Sequence, residues 1–154
     1  MNRKEAALSP DFALPRWITE RSADRPTYAP DLAEVAEALG FVLLGWQRLV
    51  ADVALEHDGG RLAFRDVVVT LPRQAGKSTL LLALVIWRMI ASPGSRIAFA
   101  AQHRMAARAK LLDDWWPAIS ASPFGEMFKP VRATGGEQPR CSNGSLLRVM
   151  SADE

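Results

Sequence analysis

The chain has 154 residues, 49% hydrophobic and 23% charged, which is one domain with or without a short arm, and the balance of a globular protein rather than a disordered, collagen-like or disulfide-stapled one. A formal net charge of +2 is too small to diagnose nucleic-acid binding. Fifteen arginines against four lysines read either as a preference for the two-pronged geometry with which guanidinium meets phosphate or as the mark of a high-GC genome.

Cys141 is the single cysteine; it excludes an internal disulfide and a multi-cysteine zinc site and fits a reducing compartment. No apolar run reaches the roughly 18–20 residues that cross a bilayer. The basic start, Met1 to Lys4, is not followed by an apolar stretch of signal-peptide length. Residues 1–30 read as an arm interrupted by Pro10, Pro15, Pro26 and Pro30, with Trp17 and Tyr28 as the side chains that would pack it on a domain spanning 31–154.

A helix is expected from Asp31, where Asp31 and Glu34 form a variant capping box. Leu32, Val35, Ala36 and Leu39 then supply one buried face, and Gly40 a stop. A second helix over Trp46 to Glu56 carries Trp46, Leu49, Val50 and Val53 on one side, and Asp58-Gly59-Gly60 is a turn. Leu62 to Leu71, with Val67, Val68, Val69 and Thr70 at its centre, reads as a continuous apolar strand of a sheet covered on both faces. Ser78 to Ile90 is apolar nearly all round, hence a buried helix, and Arg96 to Ala101 is a short strand. His103 to Trp116 reads as a helix with Met105, Ala109, Leu112 and Trp116 inward and Arg104 and Arg108 on another face, broken by Pro117. Asn143-Gly144 signals a hairpin turn before a strand over Ser145 to Met150. Strand, loop, helix, strand, helix in this order predicts a parallel, three-layer α/β sheet.

The chemistry sits between the Val67–Leu71 segment and the buried helix, in Pro72-Arg73-Gln74-Ala75-Gly76-Lys77-Ser78-Thr79. A strand entering a tight loop, then Gly-Lys-Ser, then a helix, is the context of a phosphate-binding P-loop. There, loop and helix N-terminal N–H groups converge on phosphate oxygens. Gly76 would let phosphate approach the backbone, Lys77 would place its ammonium on the β- and γ-phosphates, Ser78 would give a hydroxyl to Mg²⁺, and Thr79 would support the helix start. The pattern has one departure: the position that carries the first glycine of a standard P-loop is Leu71.

The variant Pro72-Arg73-Gln74-Ala75-Gly76-Lys77-Ser78 resembles the P-loop of the large terminase subunit of tailed bacteriophages, the ATPase that drives DNA into an empty capsid. Tyr28-Ala29-Pro30, Ala38-Leu39-Gly40 and Leu44-Gly45-Trp46-Gln47 are similar to that family's approach to its P-loop, and the resemblance covers most of residues 28–154. It implies a P-loop ATPase fold of the RecA/ASCE kind, incomplete at the C-terminus, with ATP and Mg²⁺ as cofactors. It also implies that Trp46-Gln47 contacts the adenine edge, that Arg73 reaches the γ-phosphate in cis, and that Lys77 and Arg73 are the catalytic pair. The implied function is coupling of ATP hydrolysis to translocation of double-stranded DNA, in a homo-oligomeric ring with a small terminase subunit and the portal protein as partners. No membrane is involved, and the place of action is the bacterial host cytoplasm.

In that pattern Ser151-Ala152-Asp153-Glu154 lies before the Walker B strand. The Walker B acid pair and the nuclease half are then expected beyond residue 154, with residues 1–154 alone inactive in turnover. Asp153-Glu154 as Walker B itself is the other reading. A helicase-like or restriction-type DNA translocase also fits a glutamine ahead of a P-loop, and a non-catalytic prophage remnant is the rival outside the ATPases. His57 and His103 have no metal-binding partner in sequence. Arg104 and Arg108 read as a solvated face before a DNA contact, and Trp115-Trp116 as packing before a base-stacking site.

Overall fold

The structure, a computed structural model, describes residues 15–133 and 136–151; Asp153 and Glu154 lie outside the described residues. The fold is mixed α/β. Helix α1 spans Ala29–Ala38, α2 Gly45–Ala54 and α3 Lys77–Ala91. Helix α4, Arg104–Ala109, continues through a π-helical stretch, Lys110–Trp115, into α5, Trp116–Ala121. The strands are β1 His57–Asp58, β2 Arg61–Leu62, β3 Arg96–Ala101, β4 Phe128–Ala133, β5 Gly136–Cys141 and β6 Leu146–Ser151. Among the described residues no helix is long and apolar enough to cross a membrane.

Helix α3 is apolar all round because it has neighbours on two sides. Leu82, Val85, Ile86 and Met89 join a core with Leu111, Trp115, Ile119, Leu147 and Val149. Leu80, Ala83 and Trp87 join a second core with Leu32, Ala36 and Leu43 and with Ala51 and Leu55 at α2. Helices α1 and α2 therefore lie on one side of α3 and the sheet on the other. Helix α1 starts two residues before Asp31, behind Tyr28 with no side-chain cap. The expected capping box is absent: Pro30 fills the first turn instead, where its missing N–H costs nothing. Gly40 follows the helix at φ 91°, as a left-handed C-terminal stop requires.

The arm is stitched down at its end. Thr27 bridges Glu56, and Tyr28 N donates to Leu55 O at 3.1 Å while its ring stacks on His57 at 4.0 Å. Buried Glu56 accepts from Ser22 N at 2.8 Å and pairs with Arg21 at 3.2 Å and Arg25 at 3.5 Å. Trp17, by contrast, is 83% exposed under the Arg16 guanidinium. The Asp58-Gly59-Gly60 turn forms as expected, with both glycines at positive φ closing the β1–β2 hairpin.

The four-stranded sheet, in the order β3-β6-β5-β4, corrects the expected all-parallel architecture. Only β3 and β6 run parallel, in register from Arg96↔Leu146 to Ala101↔Ser151. The β4–β5 and β5–β6 pairs are antiparallel. The reason lies in 117–144, whose residue pattern carries little signal: these residues return as a hairpin, and a hairpin is antiparallel by construction. Pro139 has no N–H to give to β6, which matches a β5–β6 pairing limited to Arg140↔Leu146. The three-layer expectation also fails among the described residues. Ile97, Phe99, Leu147 and Val149 face the core, whereas Arg96, Ala98, Ala100 and Arg148 on the other face are exposed.

Two further expectations are corrected. The strand over Leu62 to Leu71 does not form. From Ala63 to Leu71 no residue pairs in a strand, and Val67, Val68 and Val69 are 51%, 90% and 38% exposed. An apolar β-branched run becomes a strand only where a ladder partner exists, and among the described residues β3, the next strand along the chain, pairs only with β6.

The inner stripe of the helix after β3 is Ala107, Leu111, Trp115 and Ile119, all buried, rather than Met105, Ala109, Leu112 and Trp116; Met105 is 71% exposed. In an α-helix every fourth residue advances by about 40° around the axis, so this row would spiral off the core. The wider π turn, in which Trp116 N donates to Leu111 O, cancels the drift. Pro117 accordingly does not end the helix; it sits in the first turn of α5. Trp115, not Trp116, is the fully packed indole, with Phe99 at 4.5 Å.

Candidate phosphate-binding site

The loop ahead of α3 is shaped at two residues. Gly76, the N-cap of α3, has φ 86° and Gln74 has φ 62°. Left-handed backbone costs an L-residue about 1–2 kcal/mol, so the loop spends conformational energy at Gln74 and avoids the cost at Gly76 by having no Cβ. A Cβ at Gly76 would also stand 3.2 Å from Gln47 Nε2 and 3.6 Å from Leu44 Cδ1. Pro72, Arg73 and Gln74 are exposed, and Ala75 to Thr79 are half-buried.

Lys77, the first residue of α3, folds its side chain back over the loop. Its Nζ donates to Leu71 O at 2.9 Å and to Pro72 O at 2.6 Å. The ammonium is thus held against the loop by two backbone acceptors. The leucine at the departure from the standard pattern contributes through its carbonyl, which any residue type supplies. Ser78 follows in the first turn, where the leading N–H groups of a helix have no intrahelical acceptors.

The Trp46-Gln47 pair reaches this loop. Gln47 is 1% exposed at the start of α2; its Oε1 accepts from Leu44 N at 2.8 Å, and its Nε2 donates to Gly76 O at 2.8 Å. Trp46 is half-buried, with Cζ2 4.0 Å from a Cβ built on Gly76. The expected stripe of α2, Trp46, Leu49, Val50 and Val53, lines an open apolar groove of about 800 Å³, closed opposite by Val67 to Leu71.

ATP and Mg²⁺ fit these residues in part. The ammonium on two backbone carbonyls suits a phosphate chain, whereas the side of Gly76 where a Cβ would stand is taken by Gln47, Leu44 and Trp46, so that glycine answers to α2 and to its φ rather than to an approaching phosphate. Ser78 offers one hydroxyl to a cation that otherwise takes phosphate and water oxygens. Among the described residues no group of three His, Cys, Asp or Glu is placed to hold a metal on its own.

Other candidates lie apart. His57 stacks on Tyr28, and its Nδ1 is buried without a hydrogen-bond partner. Cys141 is buried in the sheet core. Arg104 and Arg108 are exposed on α4.

Two contributions were not evident from sequence. One is the Gln47–Gly76 link; the Leu44 to Gln47 spacing fits half a capping box, but nothing marked its reach across 29 residues. The other is the Asn143-Gly144-Ser145 turn, which closes the far end of α3. Asn143 Nδ2 donates to Met89 O at 2.8 Å, and the single O–H of buried Ser145 is shared between Met89 O at 2.9 Å and Ser92 O at 3.1 Å. No family model matches the sequence, and comparisons with curated proteins and with solved structures give no match.

Proposed function

We propose that residues 72–79 bind the phosphates of ATP with Mg²⁺, and that the chain is the nucleotide-binding portion of a terminase-like motor that couples ATP hydrolysis to translocation of double-stranded DNA. The observation that carries the phosphate reading is the arrangement of Gly76, Lys77 and Ser78: a left-handed glycine, an ammonium held over the loop by Leu71 O and Pro72 O, and a hydroxyl in the first turn of a buried helix. The motor reading rests on the residue pattern from Pro72 to Ser78 with Trp46-Gln47 ahead of it. Its further elements, the ring, the small subunit, the portal and the nuclease half, come from that resemblance.

In this reading the nucleotide supplies the phosphoryl group and Mg²⁺ neutralises its charge. Lys77 would exchange the loop carbonyls for phosphate oxygens, the first N–H groups of α3 would hold the phosphate, and the Ser78 hydroxyl would be the side-chain ligand offered to the cation. Arg73 is the exposed cationic side chain within the loop, and in this reading it would meet the outer phosphate.

Lys77→Ala tests the reading. Charge-assisted hydrogen bonds are worth about 1.5–3 kcal/mol each, so affinity for ATP–Mg²⁺ should fall at least roughly tenfold in a variant that still folds. Unchanged affinity by calorimetric titration, with an unchanged circular dichroism spectrum, removes the assignment.

A further inference from the structure

Gln47 carries more than the base contact that the resemblance implies. Its carboxamide is 1% exposed and engaged by backbone at both ends, Leu44 N on the oxygen and Gly76 O on the nitrogen, each at 2.8 Å. Each end keeps one further hydrogen-bonding position, but at 1% exposure a base could reach them only if the surrounding residues moved aside. Gly76 O also receives Thr79 N at 3.2 Å and Leu80 N at 3.4 Å; the Gln47 bond is the shortest of the three.

That carbonyl belongs to the peptide unit joining Gly76 to Lys77. In a planar trans peptide the C=O and N–H point in opposite directions. Fixing Gly76 O toward Gln47 and the helix therefore fixes the Lys77 N–H away from the helix, toward the loop. Gly76 has no Cβ to restrict this unit, and its left-handed conformation is one among several open to glycine. The side chain of Gln47 supplies the restriction from outside the loop.

We propose that Gln47 is a positioning residue of the phosphate cradle: it holds the Gly76–Lys77 peptide so that the Lys77 N–H faces the phosphate, and its contribution to affinity is independent of the base. This rests on the phosphate-binding reading of residues 72–79. Helix α2 thereby becomes a structural part of the cradle, and any displacement of its N-terminus reaches the loop through one side chain.

The test compares wild type, Gln47→Ala and Gln47→Met, the last keeping most of the volume without either hydrogen bond. Each is titrated with ATP–Mg²⁺, GTP–Mg²⁺ and inorganic tripolyphosphate–Mg²⁺, and the Lys77 amide resonance is followed in the free proteins. The expected result is a loss of about fivefold for all three ligands in both variants, the size of one neutral hydrogen bond, with the Lys77 amide displaced before any ligand is added. Loss confined to ATP, with tripolyphosphate unaffected, overturns the proposal in favour of base reading. Full binding by Gln47→Met overturns it in favour of simple packing. If wild type binds none of the three, the phosphate reading falls by itself, and the Lys77 resonance in the free variants still decides whether Gln47 sets that peptide.

Discussion

The two ends of α3 are held in contrasting ways. At its C-terminus, Asn143 and Ser145 close the last carbonyls with several side-chain bonds, and the turn that carries them is anchored by β5 and β6 in a four-stranded sheet. At its N-terminus, the loop from Leu71 to Gly76 has no strand beside it and is held by two side chains, Gln47 from α2 and Lys77 from the helix itself. The C-terminal end is fixed redundantly, whereas the N-terminal end depends on contacts that can be exchanged one at a time. A loop that must admit a ligand belongs to the second kind, because each bond it gives up is local.

The largest expected effect lies on the sheet side. Trp115 is 2% exposed and packs on Phe99, and Trp115→Ala should cost about 3–5 kcal/mol of stability, measured as a lowered urea midpoint with loss of cooperative unfolding at physiological temperature. Ser145→Ala comes next. It removes the donor to Met89 O and Ser92 O and the acceptor of Ser95 N at 3.2 Å, and stranding such buried groups costs about 1–3 kcal/mol; a smaller loss in the same denaturation assay would mean that the two helix ends are held alike. Gly76→Ala places an L-residue at φ 86° with its Cβ 3.2 Å from Gln47 Nε2. About 1–2 kcal/mol is expected, with hydrogen-exchange protection lost first around Gly76 and preserved in β3 and β6. The smallest effect is Val68→Lys. Val68 is 90% exposed, so stability should stay within about 0.5 kcal/mol, while sedimentation should show less self-association as an apolar patch is broken by charge. A loss well beyond that range would show that Val68 is covered in solution, and the contrast between the two ends would weaken.

The sequence carried the helices well, because their signals are local. The apolar sweep of Leu80 to Ile90, the left-handed Gly40 and the Asp58-Gly59-Gly60 turn depend on neighbours a few residues away. The strand over Leu62 to Leu71 was misread for the complementary reason: Val67, Val68 and Val69 state a preference for burial but not what would cover them. The expected inward row of the helix after β3 is off by one residue at Leu112 and Trp116 and by two at Met105 and Ala109. Period counting assumes one turn size throughout, and the run Lys110-Leu111-Leu112-Asp113-Asp114-Trp115 gives no signal that its turn is wider. At the candidate site, Gly76, Lys77 and Ser78 were legible as a pattern. The bond from Gln47 to Gly76 was not, because a contact between the starts of two helices is a property of packing.

The π stretch also stores slack. A π turn holds one residue more than the α turn it replaces, and the surplus lies on the outer side, where Asp113 and Asp114 are exposed. Deleting Asp113 would let the turn tighten to α while Ala107 before it and Ile119 after it keep their places in the core. The same deletion in the middle of α3 would rotate half of that helix by about 100° and pull apolar side chains out of both cores at once. Of the two long helices, one can change its length without changing its fold, and the other, which leads from the candidate loop at residues 72–76, cannot.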